Sequence, residues 1–277
     1  MEPHISIIIP CYNQGFYLDD ALQSIAQCED KSLYEIIIIN DGSTGQDTLD
    51  ILKELEEKGY HVIHQPNKGL GAARNTGIKA AKGKYILPLD CDNKIKPEYM
   101  YEGINLLDRD ASLDVVYGNA EYFGEKEGVW ESGEFNLQRL MIENYIDACA
   151  VFRKATWEKM GGYDEKMPVM GYEDWDFWLR IAFCGGKFKY INKVLFYYRY
   201  SAKSMIHTVQ KNKLATIFEY MENKHSQYLN RLYLNRLILF KASKHKGLAL
   251  HLTFKAYFPR VSNLLRKIGI IKNKDII

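Results

Sequence analysis

Two near-continuous apolar runs close to the start of the chain, Ile5-Ser-Ile-Ile-Ile-Pro10 and Tyr34-Glu-Ile-Ile-Ile-Ile-Asn40, constrain its fold more than any other feature. A half-buried strand alternates polar with apolar residues. A run that is apolar at almost every position must be covered on both faces, as a central strand of a parallel sheet is. After each run the spacing changes to that of a helix, through Phe16, Leu18, Leu22 and Ile25, then through Leu49, Leu52 and Leu55. Helices are therefore expected over 16–28 and 47–58, the second stopped by Gly59. His61 to Gln65 reads as a third strand. Asn67 to Gly77 leads into a helix ending near Gly83, and Tyr85 to Asn93 reads as a fourth strand. Alternating strands and helices of these lengths predict an α/β fold with right-handed crossovers.

The fourth strand carries the first chemistry. Its end, Leu89-Asp-Cys-Asp92, holds Asp90 and Asp92 on one side if the chain is extended, with Cys91 facing away. Two hard oxygen ligands with the rest of the shell open suit a divalent cation that also holds substrate phosphates, the usual situation of Mg2+. Asp-x-Asp recurs at Asp108/Asp110 and Asp174/Asp176, read as helix surface and helix start. Only the first pair lies at a strand's carboxyl end, where open α/β sheets bind ligands.

Gly69-Leu-Gly-Ala-Ala-Arg74 invites a dinucleotide reading and fails it. That glycine pattern belongs after the first strand and needs Gly or Ala where Arg74 stands. No Walker phosphate loop occurs. Arg74 is left as a cation near phosphate, or as a helix-start arginine in solvent.

Beyond Asp92, Pro97 opens a helix reaching about Asp110, and Asp114 to Tyr117 reads as a strand. Gly124, Gly128 and Gly133 suggest a hairpin excursion. Ile146 to Phe152 reads as a strand, and Lys154 to Met160 as a short helix. A further helix starts at Gly171-Tyr-Glu-Asp174, with Trp175, Trp178, Leu179 and Ala182 on one buried stripe. Glu173, Asp174 and Asp176 crowd its first turn, more acid than the helix dipole calls for. Lys187 to Ile191 and Val194 to Tyr200 read as two strands, and from about Lys211 the chain reads as helical.

Charge divides the chain. Residues 199–277 hold 16 Lys and Arg against 3 Asp and Glu, a balance of +13, while residues 1–198 hold 21 against 32, or −11. An acidic body with a basic tail argues against a nucleic-acid binder and for a specialised tail. The apolar stripe Leu229, Leu232, Tyr233, Leu237 and Phe240, and the patch Leu248 to Phe258, suit either docking on an anionic membrane or packing and dimerisation. The five cysteines are scattered, no secretory leader is visible, and no apolar run reaches the eighteen or so residues a bilayer span needs. A cytoplasmic location is expected, either free or peripheral on the inner face of the cell membrane.

Five segments occur in one order: Ile7-Ile-Ile-Pro-Cys-Tyr-Asn13, Asn40-Asp-Gly-Ser43, Asn67-Lys-Gly-Leu-Gly-Ala-Ala-Arg-Asn75, Leu89-Asp-Cys-Asp92 and Gly171-Tyr-Glu-Asp174. Together they resemble the family 2 glycosyltransferases. The likeness covers about residues 4–205. It implies a GT-A fold, a Rossmann-like, mostly parallel sheet flanked by helices, as a catalytic domain over 1–208 with a basic helical extension over 209–277. It implies an inverting, metal-dependent enzyme that uses Mn2+ or Mg2+. The enzyme would move a sugar from a UDP-sugar to a hydroxyl of a glycan or lipid-linked acceptor, as in bacterial surface polysaccharide synthesis. Pro10, Tyr12 and Asn13 would lie by the base, Asp41 would bind the uracil, and Asn67 and Arg74 would serve the nucleotide sugar. Asp90 would face the ribose or the metal, and Asp92 would be a direct metal ligand. Asp174 would be the catalytic base beside Glu173, and Asp147, Tyr163 and Asp164 would border the acceptor. Many members carry a histidine just after a Tyr-Arg pair as a further metal ligand. Here Tyr198-Arg199 is followed by Tyr200 and Ser201, and the nearest candidate is His207. The rival reading is a non-catalytic nucleotide-sugar-binding or scaffold protein on the same fold.

Overall fold

A computed structural model describes residues 2–201 and 214–229 of the chain. The two isoleucine runs are strands β1 (Ile5–Cys11) and β2 (Tyr34–Asp41), and their side chains enter two different layers. Ile8, Ile37 and Ile39 face one core, while Ile7, Ile9 and Ile38 face the other, and all six are fully buried. Each contributes about 1.5–3 kcal/mol of burial. The first layer holds helices α3 (Leu70–Ala80), α5 (Leu137–Leu140), α6 (Lys154–Met160) and α7 (Glu173–Phe183). The opposite layer holds α1 (Leu18–Ala26), α2 (Gln46–Glu57) and α4 (Pro97–Arg109).

β3 (His61–Gln65), β2, β1 and β4 (Tyr85–Pro88) lie side by side in that order, all parallel. Their carboxyl ends therefore deliver Gln65, Asp41, Cys11 and the turn after Pro88 to one edge. The sheet then becomes mixed. β8 (Val151–Arg153) runs antiparallel between β4 and β6 (Leu113–Gly124), and β9 (Lys187–Tyr200) is parallel to β6. β5 (Lys94–Ile95) and β7 (Gly128–Trp130) pair antiparallel with β9 and β6, β7 making the expected hairpin.

Three expectations are corrected. The fourth strand stops at Pro88, and Asp90 to Asn93 form a turn closed by Asn93 N–H donating to the Asp90 carbonyl at 2.9 Å. Ile146 to Ala150 is loop rather than strand, because side chains satisfy its backbone. The Trp178 indole donates to Ile146 O, Tyr99 donates to Cys149 O, and the Cys149 N–H donates to Asp147. The two strands after Lys187 are one, with Asn192 and Lys193 absorbed as a bulge against β6.

The segment after residue 213 forms α8 (Leu214–Lys224) and packs on the α7 side of the sheet. Ile217, Met221 and Leu229 are buried in the α7 layer. Phe218 meets Trp175 edge-on at 5.5 Å, and Tyr228 stacks on Phe183 at 4.4 Å. Leu229 therefore belongs to the core and not to a membrane-facing stripe. The rest of that stripe, and the patch from Leu248, lie outside the described residues.

Candidate active site

The two acidic motifs, far apart in sequence, meet on one arginine. Arg74 sits in the second turn of α3, with its side chain 1% exposed. One guanidinium nitrogen donates to Asp90 Oδ1 at 2.6 Å and another to Glu173 Oε1 at 2.5 Å. The solvent-facing alternative for Arg74 is thereby excluded. The approach of α3 to α7 depends on Gly71, where a Cβ would lie 3.1 Å from the Asp164 carbonyl and 3.4 Å from Glu173 Cβ. Glu173 also accepts from the Gly171 N–H at 2.8 Å, which fixes the start of α7.

Asp174 is buried, and Asn144 Nδ2 donates to both of its oxygens at 3.1 Å. Burial, then the adjacent Glu173 charge, pushes its carboxyl up to about 8. Asp147 is near enough to feel the charge of Asp90 and to act on Asp174. Burial and then the Asp90 charge push it up to about 7. Asp92 is pushed up to about 6 by burial and then by Asp90. These shifts describe carboxylates crowded around one buried cation, a donor set short of positive charge. Among the described residues no three acidic, His or Cys side chains close on a common point. A cation here would be held by Asp90 and Asp92 together with oxygens of a bound phosphate, which is the habit of Mg2+ and a fit for hard divalent ions. His207 lies outside the described residues.

The turn that carries Asp92 is held by Arg199, the arginine of the Tyr-Arg pair. Its Nε donates to Asp92 O at 3.0 Å, its backbone N–H to Asn93 Oδ1 at 2.8 Å, and its guanidinium to Asp20 at 2.6 Å.

The residues expected at the nucleotide sit at strand ends and in loops at the sheet edge. Pro10 is buried at the end of β1, and Tyr12 is 46% exposed. Asn13 takes φ 54°, and its Oδ1 accepts from Thr44 N and Gly45 N at 2.8 and 2.9 Å. Asp41 accepts from Lys68 N, Gly69 N and Gln65 Nε2 at 2.7–2.9 Å, so it ties down the loop of the exposed Asn67. Gly42 makes this possible, with φ +72° and a Cβ position 2.4 Å from Asn67 N.

Of the acceptor candidates, Tyr163 is buried with its ring 5.7 Å from the Arg74 guanidinium. Asn75, the neighbour of Arg74, fixes it by bonding both its backbone N–H and its carbonyl at 2.8 and 2.9 Å. Asp164 is taken up elsewhere: it accepts from Tyr220 at 2.6 Å and Lys224 at 2.5 Å, and so anchors α8. Sequence reasoning missed Asn144, which stands in no motif, and the holding roles of Asn75 and Arg199, which stand inside quoted motifs without an evident partner.

A mixed α/β sheet with carboxylates at the ends of its parallel strands is the frame of a GT-A glycosyltransferase. The family model for glycosyl transferase family 2 matches residues 6–176, and the chain belongs to that family. It is 28% identical to an uncharacterized glycosyltransferase of Rickettsia prowazekii (strain Madrid E), over 99% of this chain and 84% of that protein. It is 32% identical to a chondroitin synthase of Escherichia coli, over 70% of this chain but 28% of that much longer protein. Among solved structures, S. aureus TarS 1-349 in complex with UDP-GlcNAc superposes with a TM-score of 0.69 at 20% identity, covering 95% of this chain and 84% of that one. The mannosyltransferase PcManGT of Pyrobaculum calidifontis, in complex with GDP-Man and Mn2+, gives 0.61 at 14%, covering 98% and 89%. The protein is a glycosyltransferase.

Proposed function

We propose that this glycosyltransferase is inverting and metal-dependent, and that it moves a sugar from a UDP-sugar to a hydroxyl of a glycan or lipid-linked acceptor in surface polysaccharide assembly. The observation that carries the reading is the buried Arg74 bridge, which joins the turn of Asp90 and Asp92 to the helix start of Glu173 and Asp174. A leaving-group end and a base end are thus parts of one rigid unit.

Asp174 takes the proton of the attacking hydroxyl, and its raised pKa suits a group that must accept a proton near neutral pH. Asn144 aims it, since one amide contacting both oxygens fixes the plane of the carboxylate. Asp90 and Asp92 are the residues that would hold Mg2+ or Mn2+, which when bound supplies positive charge to the departing diphosphate. Arg74 neutralises Asp90 and Glu173 without itself reaching solvent. With base and leaving group on opposite sides of the anomeric carbon, one displacement inverts it, as in inverting glycoside cleavage.

Tyr12 offers an exposed ring for the base, and Asp41 keeps acceptor capacity for the uracil N3–H beside its loop bonds. Asp147 and Tyr163 line the acceptor side. TarS was solved with a uridine donor and PcManGT with a guanosine donor, so the base is the point to test. A panel of nucleotide sugars, scored by diphosphate release with and without Mn2+ or Mg2+, is the experiment. UDP-sugars should turn over, with metal required and UDP bound more tightly than GDP. Preference for GDP, or full turnover in EDTA, would overturn the respective part.

The basic tail docks the enzyme on an anionic membrane. Residues 230–277 hold 11 Lys and Arg against one acid, Asp275. Each base near such a surface contributes about 1 kcal/mol. Among the described residues no helix is long and apolar enough to cross a membrane.

A further inference from the structure

Four rings at the outer end of the β6–β9 ribbon are used by nothing described so far. The register sets Tyr122 opposite Tyr198, Gly124 opposite Tyr200 and Ala120 opposite Trp130, so these side chains share one sheet face. Tyr122 and Trp130 stack at 6.3 Å with planes 7° apart. Tyr198 meets both edge-on at 6.0 and 5.6 Å, and Tyr200 meets Tyr122 edge-on at 6.1 Å. The Lys126 ammonium stands 3.7 Å from the centre of the Tyr122 ring. All four rings are partly exposed.

The cluster leads to the active site. Inward on the same face, Ala120 and Phe196 are fully enclosed in the core. Tyr198 lies between Tyr197, which pairs with Lys94, and Arg199, which bonds the Asp92 carbonyl at 3.0 Å and Asn93 Oδ1 at 2.8 Å, so it stands beside the turn of Asp90 and Asp92. One end of the aromatic face is thus a wall of the carboxylate cleft, and the other runs out along the β6–β7 hairpin.

Holding a hairpin together needs apolar area, which Val, Ile or Leu supply as well. Three tyrosines, a tryptophan and a lysine supply something different. The face of an aromatic ring is electron-rich and attracts polarised C–H groups, while phenolic hydroxyls at the ring edge give and accept hydrogen bonds and a nearby ammonium donates them. A pyranose ring presents that combination, with C–H bonds on its faces and hydroxyls around its rim.

We infer that the face formed by Tyr122, Trp130, Tyr198 and Tyr200 is a subsite for the acceptor, binding a pyranose ring next to the one that is glycosylated. The inference rests on the reading of the carboxylate cleft as the place of transfer. It makes the acceptor an oligosaccharide of at least two sugars rather than a bare lipid alcohol.

Tryptophan fluorescence provides a test that does not need turnover. Of the four tryptophans, Trp157, Trp175 and Trp178 are buried, so acrylamide quenching reports chiefly on Trp130. Chitotriose, cellotriose and maltotriose are the probes, at millimolar concentration. At least one should protect Trp130 from quenching. Saccharide affinity is then measured by calorimetry on variants. Trp130→Phe keeps a ring and should bind within about threefold of wild type, whereas Trp130→Leu keeps apolar packing and should bind about tenfold more weakly. UDP affinity measured on the same samples should be unchanged. If none of the three protects Trp130, or if Trp130→Leu binds as well as Trp130→Phe, the subsite assignment is wrong. Saccharide binding without UDP binding would instead leave the subsite standing and remove the donor reading.

Discussion

Asp176 offers the sharpest test of how the site is supported. It is fully enclosed in the first turn of α7, two residues after the candidate base. Arg180 Nε donates to one of its oxygens at 2.8 Å, while Lys224 Nζ at 2.8 Å and His225 Nε2 at 2.9 Å approach the other. Asp176→Asn preserves the shape and removes the charge. Breaking a buried ion pair by removing one partner costs about 3–5 kcal/mol. The lower end applies, because Arg180 keeps the Met160 and Gly162 carbonyls and Lys224 keeps Asp164. About 3 kcal/mol corresponds to a fall in melting temperature of about 6–12 °C in a chain of this size. The pH dependence has a definite sign. Although burial opposes it, bonding to His225 and the charges of Arg180 and Lys224 hold the Asp176 carboxyl far below its ordinary value. A depressed folded-state value means stability that is complete above the unfolded value near 4 and is lost as pH falls below it. Urea unfolding of wild type and variant, followed by tryptophan fluorescence, should therefore show a constant gap from pH 5 to 8 that narrows below pH 4. A gap under about 1 kcal/mol at pH 7, or one that does not narrow in acid, would refute the assignment of a buried, charged clasp.

Asp92→Asn should abolish the gain in UDP affinity on adding Mn2+ while leaving the metal-free affinity unchanged, as titration calorimetry can check. Asp174→Asn should lower kcat by about 10²–10⁴-fold with donor binding intact. In the wild type the acid limb of the kcat/KM profile should stand near 8, not in the ordinary carboxylate range, since Asp174 must be deprotonated to act. Asn144→Ala should lower kcat about tenfold at unchanged donor Kd, the loss of an aiming contact and not of a binding one.

The sequence made some of this legible and hid the rest for physical reasons. The isoleucine runs declare covered strands because burial on both faces leaves no polar alternation. The position of Asp90 and Asp92 follows from where a strand ends, although the turn of the pair does not, because the Asn93 to Asp90 bond is a local choice that the apolar pattern does not reveal. Arg74 and Glu173 are 99 positions apart, so neither could be seen to complete the other. The loop at 146–150 shows a different limit. Its apolar residues look like a strand, but their backbone is satisfied by Tyr99, Asp147 and Trp178, side chains whose reach is set by the tertiary packing.

The C-terminal clasp decides how the membrane proposal must be tested. Lys224 joins Asp164 and Asp176, and His225 also reaches Asp176, so the segment up to Leu229 is tied to both ends of the loop and helix that present Asp174. Ile217, Met221 and Leu229 are buried, and at about 1.5–3 kcal/mol each their removal would claim a large share of the 5–15 kcal/mol that holds an ordinary domain together. Cutting the chain near residue 208 would therefore test folding rather than docking. A chain ending at Leu229 should melt close to the full-length protein and release diphosphate from donor at the same rate. It should also stay in solution when mixed with anionic vesicles at low salt, conditions in which the full-length protein should float with them. Flotation of the shortened chain to the same extent would locate the membrane contact in the catalytic body and leave the basic residues after 229 without that role.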